Sequence, residues 1–174
     1  MLRPESFESV NDALDMGSIE RFPVLSGVFE TWRRLGDGAA PTGVDALDLP
    51  PRALPYLMLV DLDGTKDAVI RLAGTAACDL YGRELKGTSV HDFFGARDAK
   101  LVLDGLLTVA ETEAPMLTHR SYVSINGKPW SYVRLLLPIR PEGGRVTRIL
   151  KALEPSKFSA VPVRSAPANR RAGL

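Results

Sequence analysis

Few side chains in this sequence are of types that commonly carry chemistry, and most stand alone. The densest stretch is LVDLDGT, residues 59–65, where Asp61 and Asp63 stand two apart behind an apolar run and before a glycine. Paired carboxylates serve in nucleophilic and acid–base work and hold divalent cations. Two histidines, His91 and His119, and one cysteine, Cys78, are the other candidates for ligation or covalent chemistry. Arg71 interrupts the apolar run VIRLAG. A half-buried arginine needs a carboxylate or carbonyl partner. Asp79, Glu84 or Asp92 would serve as a structural partner, and the functional alternative is a clamp on the acidic group of a ligand.

The stretch around Asp61 resembles the signature of haloacid-dehalogenase-like phosphatases. That resemblance would make Asp61 the nucleophile and Asp63 the acid/base, with Mg2+ shielding the phosphate. The fold it requires is a parallel sheet with helical crossovers after the motif. The elements that follow here read differently. The simpler account is a hairpin whose turn contains Asp63-Gly64, and the phosphatase is kept as the alternative.

The surrounding elements must position any site. Phe22, Leu25, Phe29, Trp32 and Leu35 recur at helical spacing, which predicts an amphipathic helix over 22–36. Pro23 suits its first turn and Gly36 the residue past its end. Its aromatic stripe needs cover, either from its own domain or from a second copy of the chain. Phe22, Leu25, Phe29 and Trp32 are therefore the candidate dimer-interface residues, and a homodimer is expected. Residues 36–55 read as a Gly/Pro/Asp-rich connector. Strands follow at 56–62 and 67–74. Thr75 is placed to cap a short helix that Gly82 ends. Residues 96–112 form a long amphipathic helix with Asp98 in its first turn and Gly105 as an anomaly in its middle. Strands at 116–125, 129–139 and 145–154 are separated by Asn126-Gly127 and Gly143-Gly144. Val133, Leu135, Leu137 and Ile139 alternate onto one face, and Trp130, Tyr132 and Leu136 onto the other. Five strands linked by hairpins, with helices between the second and third, predict an α+β fold: a five-stranded antiparallel sheet with helices covering one face, plus the N-terminal amphipathic helix.

The 174 residues are 45% hydrophobic and 25% charged, with formal net charge +1. That suits one globular domain able to bury its own core. It offers no global field for nucleic acid or an anionic membrane. Apolar runs are too short for a membrane span, and MLRPESFESV lacks the apolar core of a signal peptide. A lone cysteine forms no internal disulfide. A cytoplasmic protein is the expectation. Residues 1–21 are expected to be a flexible segment, 22–154 the domain, and 155–174 a disordered, solubilising tail that includes Arg164, Arg170 and Arg171.

Taken in order, LYGRELKG, TSVHDFF, the long helix, INGKPWSYV and PEGGRVTRIL resemble the PAS domain, over about residues 22–154. IRLAGTAACDLYGRELKG resembles a bacterial subfamily of small stand-alone PAS proteins more specifically. The resemblance implies a sensory or regulatory protein in which broken helices and the long helix wall a cavity against the sheet. The cavity would bind a small ligand, or the domain would switch protein partners. With no kinase, cyclase or DNA-binding module in the chain, output would pass through contact with an unidentified signalling protein or through self-association. An enzyme is not expected. Candidate cavity residues, taken from position, are Arg71, Tyr81, Phe93, Leu103, Leu107, Trp130 and Tyr132. The cofactor is unknown. Haem is not supported, because neither His91 nor His119 lies on the long helix where haem-binding members place the ligand. Flavin photochemistry is not supported either, because the Asn-Cys-Arg motif is absent and Cys78 comes too early; it reads as a small core residue. No catalytic or metal-binding residue is assigned.

Overall fold

The structure, a computed structural model, describes residues 10–123 and 129–155. Six strands form one antiparallel sheet: β1 (Val10–Leu14), β2 (Leu57–Asp63), β3 (Asp67–Ala73), β4 (Met116–Val123), β5 (Pro129–Ile139) and β6 (Arg148–Leu153). Their order across the sheet is β1-β4-β5-β6-β2-β3. The last strand therefore lies in the centre, between β5 and β2.

The sixth strand is a correction. β1 comes from the segment expected to be flexible, and it pairs with β4 from Val10↔Ser121 to Leu14↔Leu117. Its sequence, VNDAL, has no apolar alternation, and it stays mostly exposed at the sheet edge. Ladder hydrogen bonds hold it, and these leave no hydrophobic signature. A 3₁₀ turn, Met16–Arg21, follows it. Residues 1–9, the Asn126-Gly127 turn and the tail from 156 onward lie outside the described residues.

The sheet is covered on both faces, not one. α1 (Pro23–Leu35) lies across one side. Leu25 and Val28 are fully buried there, with Trp32, against Val133, Leu135 and Leu137 of β5 and Leu150 of β6. The Trp32 indole N–H donates to the Pro138 carbonyl (2.8 Å). The N-terminus of α1 is held by the buried Glu154 carboxylate, which accepts from the backbone N–H of Val24 (3.1 Å) and Leu25 (3.3 Å). A carboxylate there satisfies two orphan donors and suits the helix dipole. Of the two possible covers for the aromatic stripe, the chain's own sheet is the one seen: Phe22, Leu25 and Trp32 are buried within the protomer, and Phe29 is half-buried, stacked on Trp32.

The opposite face carries α2 (Thr75–Tyr81), α3 (Val90–Phe93) and α4 (Ala96–Thr112). The chain leaves β3 at Gly74, where an added Cβ would lie 2.3 Å from the Pro55 carbonyl oxygen. Only glycine fits that approach. Gly74, and not Thr75, is the cap of α2; Thr75 is the first helical residue. Gly82 ends α2 with φ 72°, in the left-handed region, as a glycine past a helix end allows. The segment after α2 is then tied back to β3: Gly87 N–H donates to the Ile70 carbonyl (2.7 Å) and Ile70 N–H to the Thr88 carbonyl (2.9 Å). The Ser89 hydroxyl caps α3 and donates to Asp67. The two breaks in this stretch let one strand edge carry a short helical flap. Among the described residues, no helix is long and apolar enough to cross a membrane.

Candidate functional site: a cavity with buried cations

A cavity lies between the flap and the sheet. Met58 and Val60 of β2, Ile70 of β3, Tyr81 of α2, Val90 of α3, Phe94, and Val102 and Leu106 of α4 line it, together with Arg134 of β5 and Lys151 of β6. Its free space is about 20 Å3, room for about one water.

The two cations are the anomaly in this wall. Period-two alternation puts Tyr132 and Arg134 on the flap side of β5 and Lys151 on the same side of β6. Arg120 of β4 stands directly opposite Tyr132, and Leu136 opposite Lys151. Arg120, Tyr132 and Arg134 are completely buried and Lys151 is nearly so. Arg120 has a carboxylate neighbour, Asp98 of α4, at 3.7 Å, and lies 5.3 Å from the centre of the Phe94 ring. Among the described residues, Arg134 is held by neutral groups. Its Nε–H donates to the Thr118 hydroxyl (2.9 Å) and its Nη2 to the Asn11 side-chain oxygen on β1 (3.3 Å). Its Nη1 is buried with no hydrogen-bond partner among the described residues. Lys151 Nζ lies 5.5 Å from the centre of the Tyr132 ring. No carboxylate among the described residues lies within ion-pair distance of Arg134 or Lys151. Burial pushes the Lys151 ammonium down to about 8 and the Arg134 guanidinium down to about 10. Burial alone would raise the Tyr132 phenol, but the charges of Lys151, Arg120 and Arg134 outweigh it and bring it down to about 8. The Tyr132 hydroxyl also meets that of Tyr81 at 3.3 Å. Tyr81 thereby links the flap to the buried polar cluster on the sheet.

Gly105 faces Arg134, but an added Cβ would stand 3.5 Å from Nη2, in ordinary contact, so the guanidinium does not require a glycine there.

Tyr81 lines the cavity, and Tyr132 packs beside it. On α4, Val102 and Leu106 face the cavity; Leu103 and Leu107 belong to the neighbouring core. Phe93 and Trp130 have side chains outside the described residues, while Phe94, next to Phe93, is a wall residue. Arg71 is exposed and away from the cavity. It pairs with Asp61 (3.3 Å), and not with Asp79, Glu84 or Asp92. Sequence reasoning missed Arg134, Lys151 and Arg120. The signal was there: SYVRLLLPI and RILKALE each place one cation among apolar strand residues.

The phosphatase reading has no support. β2 pairs antiparallel with both β3 and β6, where a parallel sheet was required. The Asp61 carboxylate accepts from Arg148 Nε (2.6 Å) and Arg71, and Asp63 is exposed at the strand end. His91 contacts the Lys66 carbonyl (2.9 Å) and His119 the Ser131 hydroxyl (2.5 Å); neither lines the cavity. Cys78 is half-buried against the core and outside the lining, and desolvation raises its thiol above its ordinary value. These residues do not fit a haem or a cysteine-reactive flavin in this cavity.

The pattern that defines the PAS domain matches residues 23–154. No curated protein matches the chain. Among solved structures, the PAS domain of a protein from Colwellia psychrerythraea is 16% identical, with TM-score 0.50 over 69% of this chain and 100% of that one. The dark form of the blue-light photoreceptor Aureochrome1 LOV is 14% identical, with TM-score 0.48 over 69% and 85%. A PAS domain of an HTR-like protein from Haloarcula marismortui is 23% identical, with TM-score 0.40 over 56% and 78%. The first of these likenesses shows the fold alone. The match over most of the chain, on an antiparallel sheet with a broken helical flap, means that this chain belongs to the PAS domain family and is a sensory or regulatory domain of that kind.

Proposed function

We propose that this domain senses a small molecule in the cavity between flap and sheet, and passes the signal on by contact with another protein or with a second copy of itself. The observation that carries the reading is the cavity itself, whose walls between flap and sheet are almost wholly apolar. Small-molecule sites are concave and mostly apolar. A free space of about 20 Å3 sets the mechanism. A ligand larger than a water enters only if the flap moves outward, so occupancy and flap position are coupled. A ligand shifts that equilibrium only by its preference for the open arrangement. Tyr81 and Phe94, edge-to-face at 6.3 Å on the flap side, are the residues to be displaced.

PAS domains are generally sensory rather than enzymatic, and no catalytic role is proposed here. The aromatic stripe of α1 is not proposed as the output surface, because the protomer buries it. A single cysteine fits the reducing cytoplasm.

Mass spectrometry of freshly purified protein, native and denatured side by side, tests the reading. The expected result is a native mass above that of the bare chains by a fixed small amount, lost on denaturation. A native mass equal to the bare chain or its multiple would count against a retained ligand and favour switching by protein contact alone.

A further inference from the structure

Resting on the sensor reading above, we infer that the cavity's ligand is a small neutral hydrocarbon, recognised by shape and apolar contact and by no charged or hydrogen-bonding group. The cavity stands beside buried charge, yet that charge is turned elsewhere. The Arg134 guanidinium is directed to Thr118 and Asn11, beside Gly105. Lys151 is bonded to the Tyr132 side chain and lies over its ring. The Tyr81 hydroxyl meets that of Tyr132. The atoms that bound the free space are almost wholly apolar. Val60, Ile70, Phe94, Val102 and Leu106 supply no polar side-chain atom, and Met58 adds a soft, adaptable thioether.

Such a wall selects its occupant by exclusion. A water has room in about 20 Å3, but a buried water needs several polar partners, and apolar cavities stay dry. An apolar molecule entering a dry cavity displaces no bound water and gains contacts on every side. A hydroxyl, amine or carboxylate brought in with it would leave water and find no replacement partner. The wall that keeps water out therefore rejects polar groups on a ligand as well. Volume adds a second criterion. Every further carbon is accommodated by outward movement of Tyr81 and Phe94, so a compact body is favoured over a long chain.

The test is methyl NMR titration of the full chain. The apolar probes are xenon, benzene and cyclohexane; the polar and charged counterparts are pyridine, cyclohexanol and benzoate. The apolar probes should shift the methyl signals of Val60, Ile70, Val102 and Leu106 saturably. Their counterparts should bind at least about tenfold more weakly. Val102→Phe, which fills the space with a ring, should weaken benzene by at least about tenfold. Val60→Leu, a smaller filling, gives the same comparison if Val102→Phe fails to fold. Pyridine, cyclohexanol or benzoate binding as tightly as the hydrocarbons would overturn the neutral, apolar class and leave small-molecule sensing standing. Benzene binding a folded filling variant as well as the natural chain would overturn the cavity as its site. No binding by any probe, alongside a retained mass in the native spectrum, would overturn this inference alone. No binding and no retained mass would overturn it together with the reading it rests on.

Discussion

The two faces of the sheet are built on opposite principles. On the α1 side, Val133, Leu135 and Leu137 meet Leu25, Val28 and Trp32, and the buried polar groups are paired, the Trp32 indole N–H with a carbonyl and the Glu154 carboxylate with two backbone N–H groups. On the flap side the same strands bury Arg120, Arg134 and Lys151. An interior selected only for stability would not keep Arg134 and Lys151 where no acid among the described residues lies within ion-pair range, because apolar residues of similar size usually serve as well or better. One face is held by apolar packing and paired polar groups. The other keeps buried charge beside its cavity.

Breaking the stabilising face should have the largest effect. Trp32→Ala removes a buried ring and its hydrogen bond, and urea denaturation should show a loss of about 3–5 kcal/mol. A loss under about 1 kcal/mol would mean that α1 is only loosely seated. Glu154→Ala should cost about 1–3 kcal/mol, since the N–H groups of Val24 and Leu25 lose their acceptor in a buried site. A wild-type midpoint in that variant would show that water replaces the carboxylate.

The flap face should respond with the opposite sign. Lys151→Met in ligand-free protein at neutral pH should raise stability by about 1–3 kcal/mol, by removing a buried charge. pH sharpens this. Lys151 and Tyr132 lie together, with Arg120, Arg134, Tyr81 and Asp98 as the other charged or titratable groups around them. The pair releases a proton near pH 8, whereas the unfolded chain holds both protons until about 10. Between those values the unfolded state binds more protons, so stability rises with pH. Thermal melts from pH 7.5 to 9.5 should show this rise once the background from exposed groups is subtracted, and Lys151→Met should reduce it. A slope unchanged in that variant would place the titration elsewhere. Gly105→Ala is the smallest test. The added methyl meets Arg134 at ordinary contact distance, so the helix should gain up to about 1 kcal/mol. A loss would mean that the guanidinium has no latitude to adjust.

Much of the architecture was legible in the chain. The helical spacing of Phe22, Leu25, Phe29 and Trp32, with Pro23 and Gly36 at its ends, located α1 almost to the residue. Alternation in 133–139 correctly separated the faces of β5. The strand β1 was not legible, because VNDAL is held by backbone ladder bonds that any side chains permit. The site was less legible. Position along α4 placed Leu103 and Leu107 at the cavity, where Val102 and Leu106 stand; a shift of one residue turns a helix by about 100°. Arg71 drew notice as a charge in a strand, yet it sits at the edge, exposed and paired with Asp61. The cations that matter lie on central strands, where every position is covered.

The sequence by itself determined the order of elements, the capping and turning glycines, and the apolar stripes, because those depend on residues close together in the chain. It also carried the family's pattern from 23 to 154. Only the tertiary structure decided which faces meet: that α1 is covered by its own sheet, that Asp61 is tied up by Arg148 and Arg71, that Asn11 and Thr118 hold Arg134, and that Lys151 lies by Tyr132. These residues come from β1, β4, β5 and β6 and span more than a hundred positions. Whether a buried cation has a partner depends on distance through space, which no local spacing encodes.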